Sequence, residues 1–185
     1  HYSLVIVADR YLEGKPFEEL KKTAYKFVKN TNLKDRISFY TYAETIRTIF
    51  EYKKKNKKIF DSISKTTVSQ KKENFPYKAM LYVLQKMESS PYKRKILFFI
   101  SYGREGKNFN SKQKLYSYLT NSNIPIYFIG FRIMNSFKLP RLHLVSKYSN
   151  GKYSFSYKLK SISGKIKQMM HTIKNSYVLT FNLNR

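Results

Sequence analysis

The sequence predicts an α/β protein in which a mostly parallel, doubly wound sheet carries helices on both faces. Three segments, residues 4–8, 95–100 and 124–131, are almost wholly apolar, as expected for parallel strands that are buried on both faces. Segments with helical spacing of apolar residues separate them, and an alternation of strands and helices is typical of parallel sheets. The length of 185 residues fits a single domain over residues 1–185.

The first half of the chain supplies four predicted elements before its long polar loop. The strand at residues 4–8 ends at Asp9, and Pro16 stands where a first helical position tolerates proline. The helix that follows places its apolar residues on one face: Phe17, Leu20, Ala24, Phe27 and Val28. Residues 35–42 are predicted to form a second strand and residues 45–52 a third, half-exposed strand.

The remaining elements follow the same alternation. Pro76 ends a polar loop and precedes an amphipathic helix that Ser89, Ser90 and Pro91 terminate. Ser111 is a candidate N-cap for the next helix. The other predicted elements are short helices at 59–66 and 139–148, a turn at Asn150 and Gly151, a strand at 152–155, a helix at 159–173 and an extended segment at 177–182.

Composition narrows the functional classes. The chain has no Cys, so disulfides, thiolate metal sites and a Cys nucleophile are excluded. The three His show no zinc-ligand spacing, and no nucleophile motif is present, so we expect a protein that is not an enzyme and has no cofactor. No apolar run reaches the length of a membrane-spanning helix, which predicts no membrane insertion. Because the chain lacks an initiator Met, we expect it to be part of a longer protein.

The charge is strongly positive and unevenly distributed. The formal net charge is +26, and the last acidic residue is Glu105, so residues 106–185 carry Lys and Arg with no acid to offset them. Such a field attracts polyanions, but the abundance of Lys, Asn, Ile, Tyr and Phe is typical of an AT-rich coding sequence, and this composition is the simpler explanation of the charge. The candidate anion-binding residues are Lys152, Lys158, Lys160, Lys165, Lys167 and Lys174.

Several local phrases resemble von Willebrand factor A (vWA) domains of the bacterial type. The strand ending at Asp9, the phrase Asp-Arg-Ile-Ser-Phe-Tyr-Thr-Tyr at 35–42 and the phrase Ile-Pro-Ile-Tyr-Phe-Ile-Gly at 124–130 are similar to the first, second and fifth strands of that family. Residues 94–103 resemble the fourth strand, residues 143–153 a glycine turn, and residues 177–181 the exit segment. The resemblance implies a Rossmann-like sheet and a periplasmic, cell-surface or secreted location.

The resemblance also implies a metal-ion-dependent adhesion site, MIDAS, at the carboxyl ends of the strands. Its ligands are an Asp and two Ser after the first strand, a Thr from a later loop and an Asp after the fourth strand. In this sequence the first Asp is Asp9, the two Ser positions hold Tyr11 and Glu13, and the last Asp position holds Tyr102. The Thr position falls at Asn74, with Thr66 and Thr67 as alternatives.

One matching carboxylate does not hold Mg²⁺ against its hydration shell, so we expect the metal site to be degenerate, with Asp9 as its only metal candidate. The first functional hypothesis is therefore a non-catalytic interaction domain, for adhesion or assembly, that binds a protein or other domains of its parent chain. Its contact surface would comprise Asp9, Tyr11, Glu13, Asn74 and Tyr102. The alternative is a basic module that binds glycosaminoglycan or nucleic acid through residues 106–185.

Overall fold

The computed structural model describes residues 2–10, 15–69, 73–101, 109–131, 141–156 and 161–175. They form one six-stranded sheet with helices on both faces, which confirms the predicted fold class. The strands are β1 (Tyr2–Asp9), β2 (Arg36–Tyr42), β3 (Ile46–Lys53), β4 (Arg94–Ser101), β5 (Ile126–Phe131) and β6 (Tyr153–Ser156). The helices are α1 (Lys15–Asn30), α2 (Lys57–Ser64), α3 (Pro76–Glu88), α4 (Phe109–Leu119), α5 (Leu144–Tyr148) and α6 (Ile162–Lys174), with a 3₁₀ turn at Arg141–His143.

The strand order is β3-β2-β1-β4-β5-β6, and all neighbouring pairs are parallel except β2 with β3. The chain therefore starts in the middle of the sheet. It adds β2 and β3 on one side of β1 and then β4, β5 and β6 on the other side, so the strand order reverses between β1 and β4. In open sheets of this kind, ligands bind at the carboxyl ends of the strands beside that reversal. Asp9 ends β1 at that place.

Alternate side chains of each central strand enter two separate cores. Leu4, Ile6 and Ala8 pack with α1, α2 and α6 on one face, whereas Val5 and Val7 pack with α3, α4 and α5 on the other. This two-sided burial explains why β1, β4 and β5 are recognisable as apolar runs. Among the described residues, no helix is both long and apolar enough to cross a lipid bilayer.

Several element boundaries differ from the predicted ones for local reasons. Asp35 precedes β2, because its carboxylate accepts the backbone N–H groups of Tyr2 and Asn32. Strand β5 begins after Pro125, which has no N–H to donate to a neighbouring strand. The predicted segment at 177–182 lies outside the described residues.

The turn before β6 requires its glycine. Asn150 adopts φ 56°, and a Cβ at Gly151 would collide with the backbone of Ile126. Close approach of the two backbones lets the carbonyl of Lys152 accept the N–H of Phe128 at 2.9 Å. The Asn-Gly pair thus sets where β6 joins the sheet.

Candidate functional site

The carboxylate of Asp9 forms the centre of a buried polar cluster at the carboxyl end of β1. Asp9 is 1% exposed, and its Oδ2 accepts hydrogen bonds from the Tyr42 hydroxyl at 3.3 Å and from Nδ2 of Asn74 at 2.9 Å. The Tyr42 hydroxyl also hydrogen-bonds with Ser101, which is fully buried at the end of β4. The last residues of three adjacent strands and one loop residue therefore meet at one place.

Strand register explains why these side chains meet. Asp9 is paired with Tyr42 across the parallel β1–β2 ladder, and Ala8 is paired with Ile100, one residue before Ser101. Asn74 arrives from the loop before α3, where the N–H of Phe75 donates to the carbonyl of Ala43 at 3.1 Å. Pro76 then begins α3, so the loop is fixed directly after Asn74.

The environment keeps Tyr42 protonated. Complete burial raises the pKa of the Tyr42 hydroxyl well above its usual value, and the negative charge of Asp9 raises it further. A protonated phenol donates, so Asp9 receives its hydrogen bond at all physiological pH values. The described hydrogen bonds to the Asp9 carboxylate therefore come from neutral donors, and the positive charge of Arg10 is close enough to interact with it as well.

The side chain of Arg10 points to the opposite face of the sheet from that of Asp9, because successive side chains of an extended strand alternate between the two faces. Its side chain is 1% exposed, and Nη2 donates to Glu44 Oε1 at 3.3 Å and to Thr45 Oγ1 at 3.0 Å. The Ser69 hydroxyl donates to the other oxygen of Glu44 at 2.6 Å, and the Ser69 N–H donates to the Arg10 carbonyl at 2.7 Å. Arg10 thus links β1, the β2–β3 turn and the loop after α2.

The guanidinium of Arg10 is incompletely satisfied. Its Nε and Nη1 atoms are buried and have no hydrogen-bond partner among the described residues. Burial lowers the pKa of Arg10, with a further contribution from the positive charge of Arg47, while Glu44 acts in the opposite direction. Burial alone would raise the pKa of Glu44, but hydrogen bonds from Ser69 and Arg10 hold it below its usual value.

The structure brings together two of the residues singled out from the sequence, Asp9 and Asn74. The competing threonines do not contact Asp9: the Thr66 hydroxyl donates to the Ser62 carbonyl at 3.1 Å, and Thr67 is exposed at the end of the α2 segment. Tyr11, Glu13 and Tyr102 lie outside the described residues. Asp9 and Asn74 are 1% and 5% exposed, so they support the edge of the sheet rather than form its surface.

Sequence reasoning missed three members of this region: Tyr42, Ser101 and Arg10. Tyr42 and Ser101 could have been found from their positions, because each is the last residue of a strand that lies next to β1. For Arg10 it was the alternation of Leu4, Ile6 and Ala8, whose continuation places residue 10 in the same buried face.

The described residues include only part of the ligand set that the metal site of the family would need, since positions 11, 13 and 102 lie outside them. Within the described ranges, no three His, Cys, Asp or Glu side chains lie close enough together to hold a metal ion. Mg²⁺ prefers several oxygen ligands, at least one or two of them carboxylates. Oδ2 of the Asp9 carboxylate accepts the hydrogen bonds from Tyr42 and Asn74.

The candidate anion-binding lysines are spread over two elements. Lys152 is exposed at the start of β6, Lys167 is exposed on α6, and Lys165 is half-buried there. Helix α6 packs against the face of α1, whereas α4 and α5 pack on the other face. Lys158 and Lys160 lie outside the described residues, and so does the side chain of Lys174.

Comparisons with known proteins agree with this architecture. A family model for the von Willebrand factor type A domain matches residues 4–173. The chain has no match among curated proteins. Among solved structures, a von Willebrand factor type A protein from Catenulispora acidiphila superposes with a TM-score of 0.77 at 9% identity, covering 90% of this chain and 41% of that one.

Two further structures show the same fold. The conserved hypothetical protein BatB from Bacteroides thetaiotaomicron has a TM-score of 0.70 at 10% identity, covering 95% of this chain and 100% of that one. Proximal thread matrix protein 1 from the mussel byssus, solved with zinc in its MIDAS motif, has a TM-score of 0.66 at 13% identity, covering 91% and 46%. The chain therefore spans less than half of the Catenulispora and mussel proteins.

Proposed function

Since the chain belongs to the von Willebrand factor type A domain family, whose members are commonly interaction modules, we propose that it is a non-catalytic domain that binds a protein partner without a metal ion. The observation that carries this proposal is the Asp9 cluster. Two hydrogen bonds from within the chain, given by Tyr42 and Asn74, engage Oδ2 of the carboxylate that matches the first metal ligand of the family.

The chemistry of a metal-dependent site depends on an open coordination position that an acidic group of the partner fills. Hydrogen bonds already engage the Asp9 carboxylate inside the protein, so recognition would rest on side chains at the carboxyl edge. In the sequence, Tyr11 and Glu13 follow the last residue of β1 closely, and Tyr102 directly follows the last residue of β4. Tyrosines are effective interface anchors, because a large apolar ring is joined to a polar hydroxyl.

A groove beside this edge of the sheet supports the proposal of a protein partner. A groove of about 290 Å³ runs between the β2–β3 turn and α3, and it is lined by Ile46, Phe75, Lys78 and Tyr82 among others. Tyr82 is 37% exposed and Lys78 is exposed at the rim. An apolar groove with a charged rim suits a protein segment rather than a small polar substrate.

The test is affinity capture from the source cells in buffer with Mg²⁺ and in buffer with EDTA. The bait is the chain itself, compared with the double variant Tyr11→Ser/Tyr102→Ser. We expect the same partner in both buffers, and a loss of at least tenfold with the double variant, as for interface anchors. The matched control is Tyr148→Ser, because Tyr148 is 63% exposed at the end of α5, on a different element.

Capture that requires Mg²⁺ would contradict metal independence. Capture that is unchanged by the double variant would contradict the use of the tyrosines at the carboxyl edge. The melting temperature of the chain, measured in both buffers, should be the same, whereas a site occupied at 100 times its Kd would add about 2.7 kcal/mol of stability.

A further inference from the structure

The fold gathers basic residues at the edge of the sheet opposite to Asp9. Strands β2 and β4 begin at this edge, β3 ends there because it is antiparallel, and α1 and α3 end there. Three segments meet as a result: residues 26–36, 53–58 and 86–95. Together they contain thirteen Lys and Arg but only two acidic residues, Asp35 and Glu88. We call this region the basic edge.

Local structure accounts for only a few of these charges. The Lys55 ammonium donates to the carbonyls of Lys29 and Thr31 at 3.0 and 2.9 Å, and that of Lys95 donates to the carbonyl of Glu88 at 2.9 Å. Both contacts neutralise the negative end of a helix, α1 or α3. None of the ion pairs among the described residues involves the basic edge.

Most of the remaining charges face solvent. Lys29, Lys34, Lys54 and Lys93 are all exposed, and their ammonium groups form no ion pair with any residue that the structure describes. Asp35 does not offset them at the surface, because it is 2% exposed and accepts backbone N–H groups. The basic edge therefore carries far more positive charge than the fold needs.

The charges form a two-dimensional field rather than a line. Strands β3 and β4 are three positions apart in the sheet, which at about 4.8 Å per strand is about 14 Å. Lys29 adds charge from the α1 layer and Lys86 from the α3 layer, on opposite faces of the sheet. A charged field that extends in two directions fits an extended anionic surface better than it fits a polymer lying in a groove.

The edge also has a small concave site and tyrosine rings. A cavity of about 290 Å³ is lined by Tyr2, Arg94, Lys95 and Tyr127 among others, and the guanidinium of Arg94 lies over the ring of Tyr2 at 5.6 Å. This volume suits one anionic headgroup. The rings of Tyr52 and Tyr92 pack together nearby with centroids 5.7 Å apart. Tyrosines are suited to a boundary between apolar and aqueous phases.

We propose that the basic edge docks on the surface of a bilayer that contains anionic phospholipid. Lysines outnumber arginines by eleven to two in the three segments, and the bidentate phosphate recognition typical of nucleic-acid binding favours Arg. Anionic bilayers attract clustered lysines without such geometry. This docking leaves the carboxyl edge with Asp9 pointing away from the bilayer, and it does not depend on the partner proposed above.

The experiment is sedimentation of the chain with vesicles of phosphatidylcholine alone or with about one third phosphatidylglycerol. We expect binding to the anionic vesicles only, and its loss when salt rises from about 0.1 M to about 1 M, which shortens the Debye length from about 10 to about 3 Å. The edge variant is Lys34→Gln/Lys54→Gln/Lys93→Gln. Each charge near the surface contributes about fivefold, so its affinity should fall on the order of a hundredfold.

The matched control is Lys65→Gln/Lys78→Gln/Lys114→Gln, which removes the same charge from exposed positions outside the basic edge. Its affinity should fall less than about fivefold, because the attraction decays within a Debye length. The single variant Lys54→Gln, at an exposed turn, should lose about fivefold and provides a readout if the triple edge variant is unstable.

Three results would overturn the proposal. The first is no binding to anionic vesicles at the lower salt concentration. The second is an equal loss in the edge and control variants, which would mean that only net charge matters. The third is binding to heparin or duplex DNA that the edge variant weakens while vesicles are not bound, which would identify a soluble polyanion as the partner.

Discussion

The side-chain nitrogen Nδ2 of Asn74 lies 2.9 Å from Oδ2 of Asp9, a contact between residues that are 65 positions apart in the sequence. It ties the loop before α3 to the end of the central strand. Because both residues are almost completely buried, the hydrogen bond forms away from water. Such a bond to a charged group is costly to break, since the carboxylate then keeps its desolvation cost without its donor.

We therefore expect Asn74→Ala to lower the free energy of unfolding by about 1–3 kcal/mol. Asn74→Asp should cost more at neutral pH, because it replaces the donor by a second carboxylate beside Asp9. Urea denaturation of the three proteins provides the measurement. The control is Asn121→Ala, because Asn121 is exposed in the loop between α4 and β5. Equal stability of Asn74→Ala and the parent would show that this hydrogen bond contributes nothing.

The raised pKa of Tyr42 leads us to expect that the protein loses stability in alkaline solution. Burial raises the pKa of its hydroxyl well above the usual value, so in the folded state it stays protonated at a pH where the unfolded chain has released the proton. Above about pH 10 the unfolded state then binds fewer protons than the folded state, and stability falls as pH rises. Below that pH the contribution of Tyr42 is complete.

The corresponding measurement is the free energy of unfolding of the parent and of Tyr42→Phe between about pH 8 and 11. The variant should be less stable at pH 8 by about 1–3 kcal/mol, because Asp9 loses a donor, and its stability should decline less steeply above pH 10. Tyr148→Phe is the control, since Tyr148 is 63% exposed. Parallel curves for the parent and Tyr42→Phe would contradict the raised pKa.

The features that could be predicted from the sequence are those that depend on local pattern. The apolar runs at β1, β4 and β5 identify the centre of the sheet, because strands buried on both faces need apolar residues at every position. Asp9 is recognisable because it ends the first of these runs. Asn74 could be placed only through the vWA resemblance, since its loop has no periodic pattern of its own.

The features that could not be predicted depend on register and on strand direction. The Tyr42 contact arises because β1 and β2 are aligned with Asp9 opposite Tyr42, and no property of either residue fixes that alignment. The basic edge arises because β3 is antiparallel, which carries Lys53 and the lysines after it to the starting edge of β2 and β4. The sequence drew attention to the acid-free residues 106–185, whereas the dense cluster comes from earlier segments, in which Asp35 is buried and Glu88 is the one exposed acidic residue.

The pair of Arg10 and Glu44 provides the last prediction. Arg10→Met should destabilise the protein by about 2–4 kcal/mol, because Glu44 then loses the cation that stabilises its charge in a partly desolvated position. The double variant Arg10→Met/Glu44→Gln should recover most of that loss. In the double variant an apolar Met replaces the buried Nε and Nη1 groups of Arg10, which lack hydrogen-bond partners among the described residues. No isolated charge remains, because Glu44 is replaced by a neutral Gln.

A double-mutant cycle measured by urea denaturation tests this directly. We expect a coupling energy of at least about 1 kcal/mol between the two positions, with the double variant within about 1 kcal/mol of the parent. Lys22→Met with Glu19→Gln is the control cycle, because that ion pair lies on the exposed surface of α1 and should couple by less than about 0.5 kcal/mol. Additive losses at Arg10 and Glu44 would mean that each side chain acts through its other contacts, with Thr45 and Ser69, rather than through the ion pair.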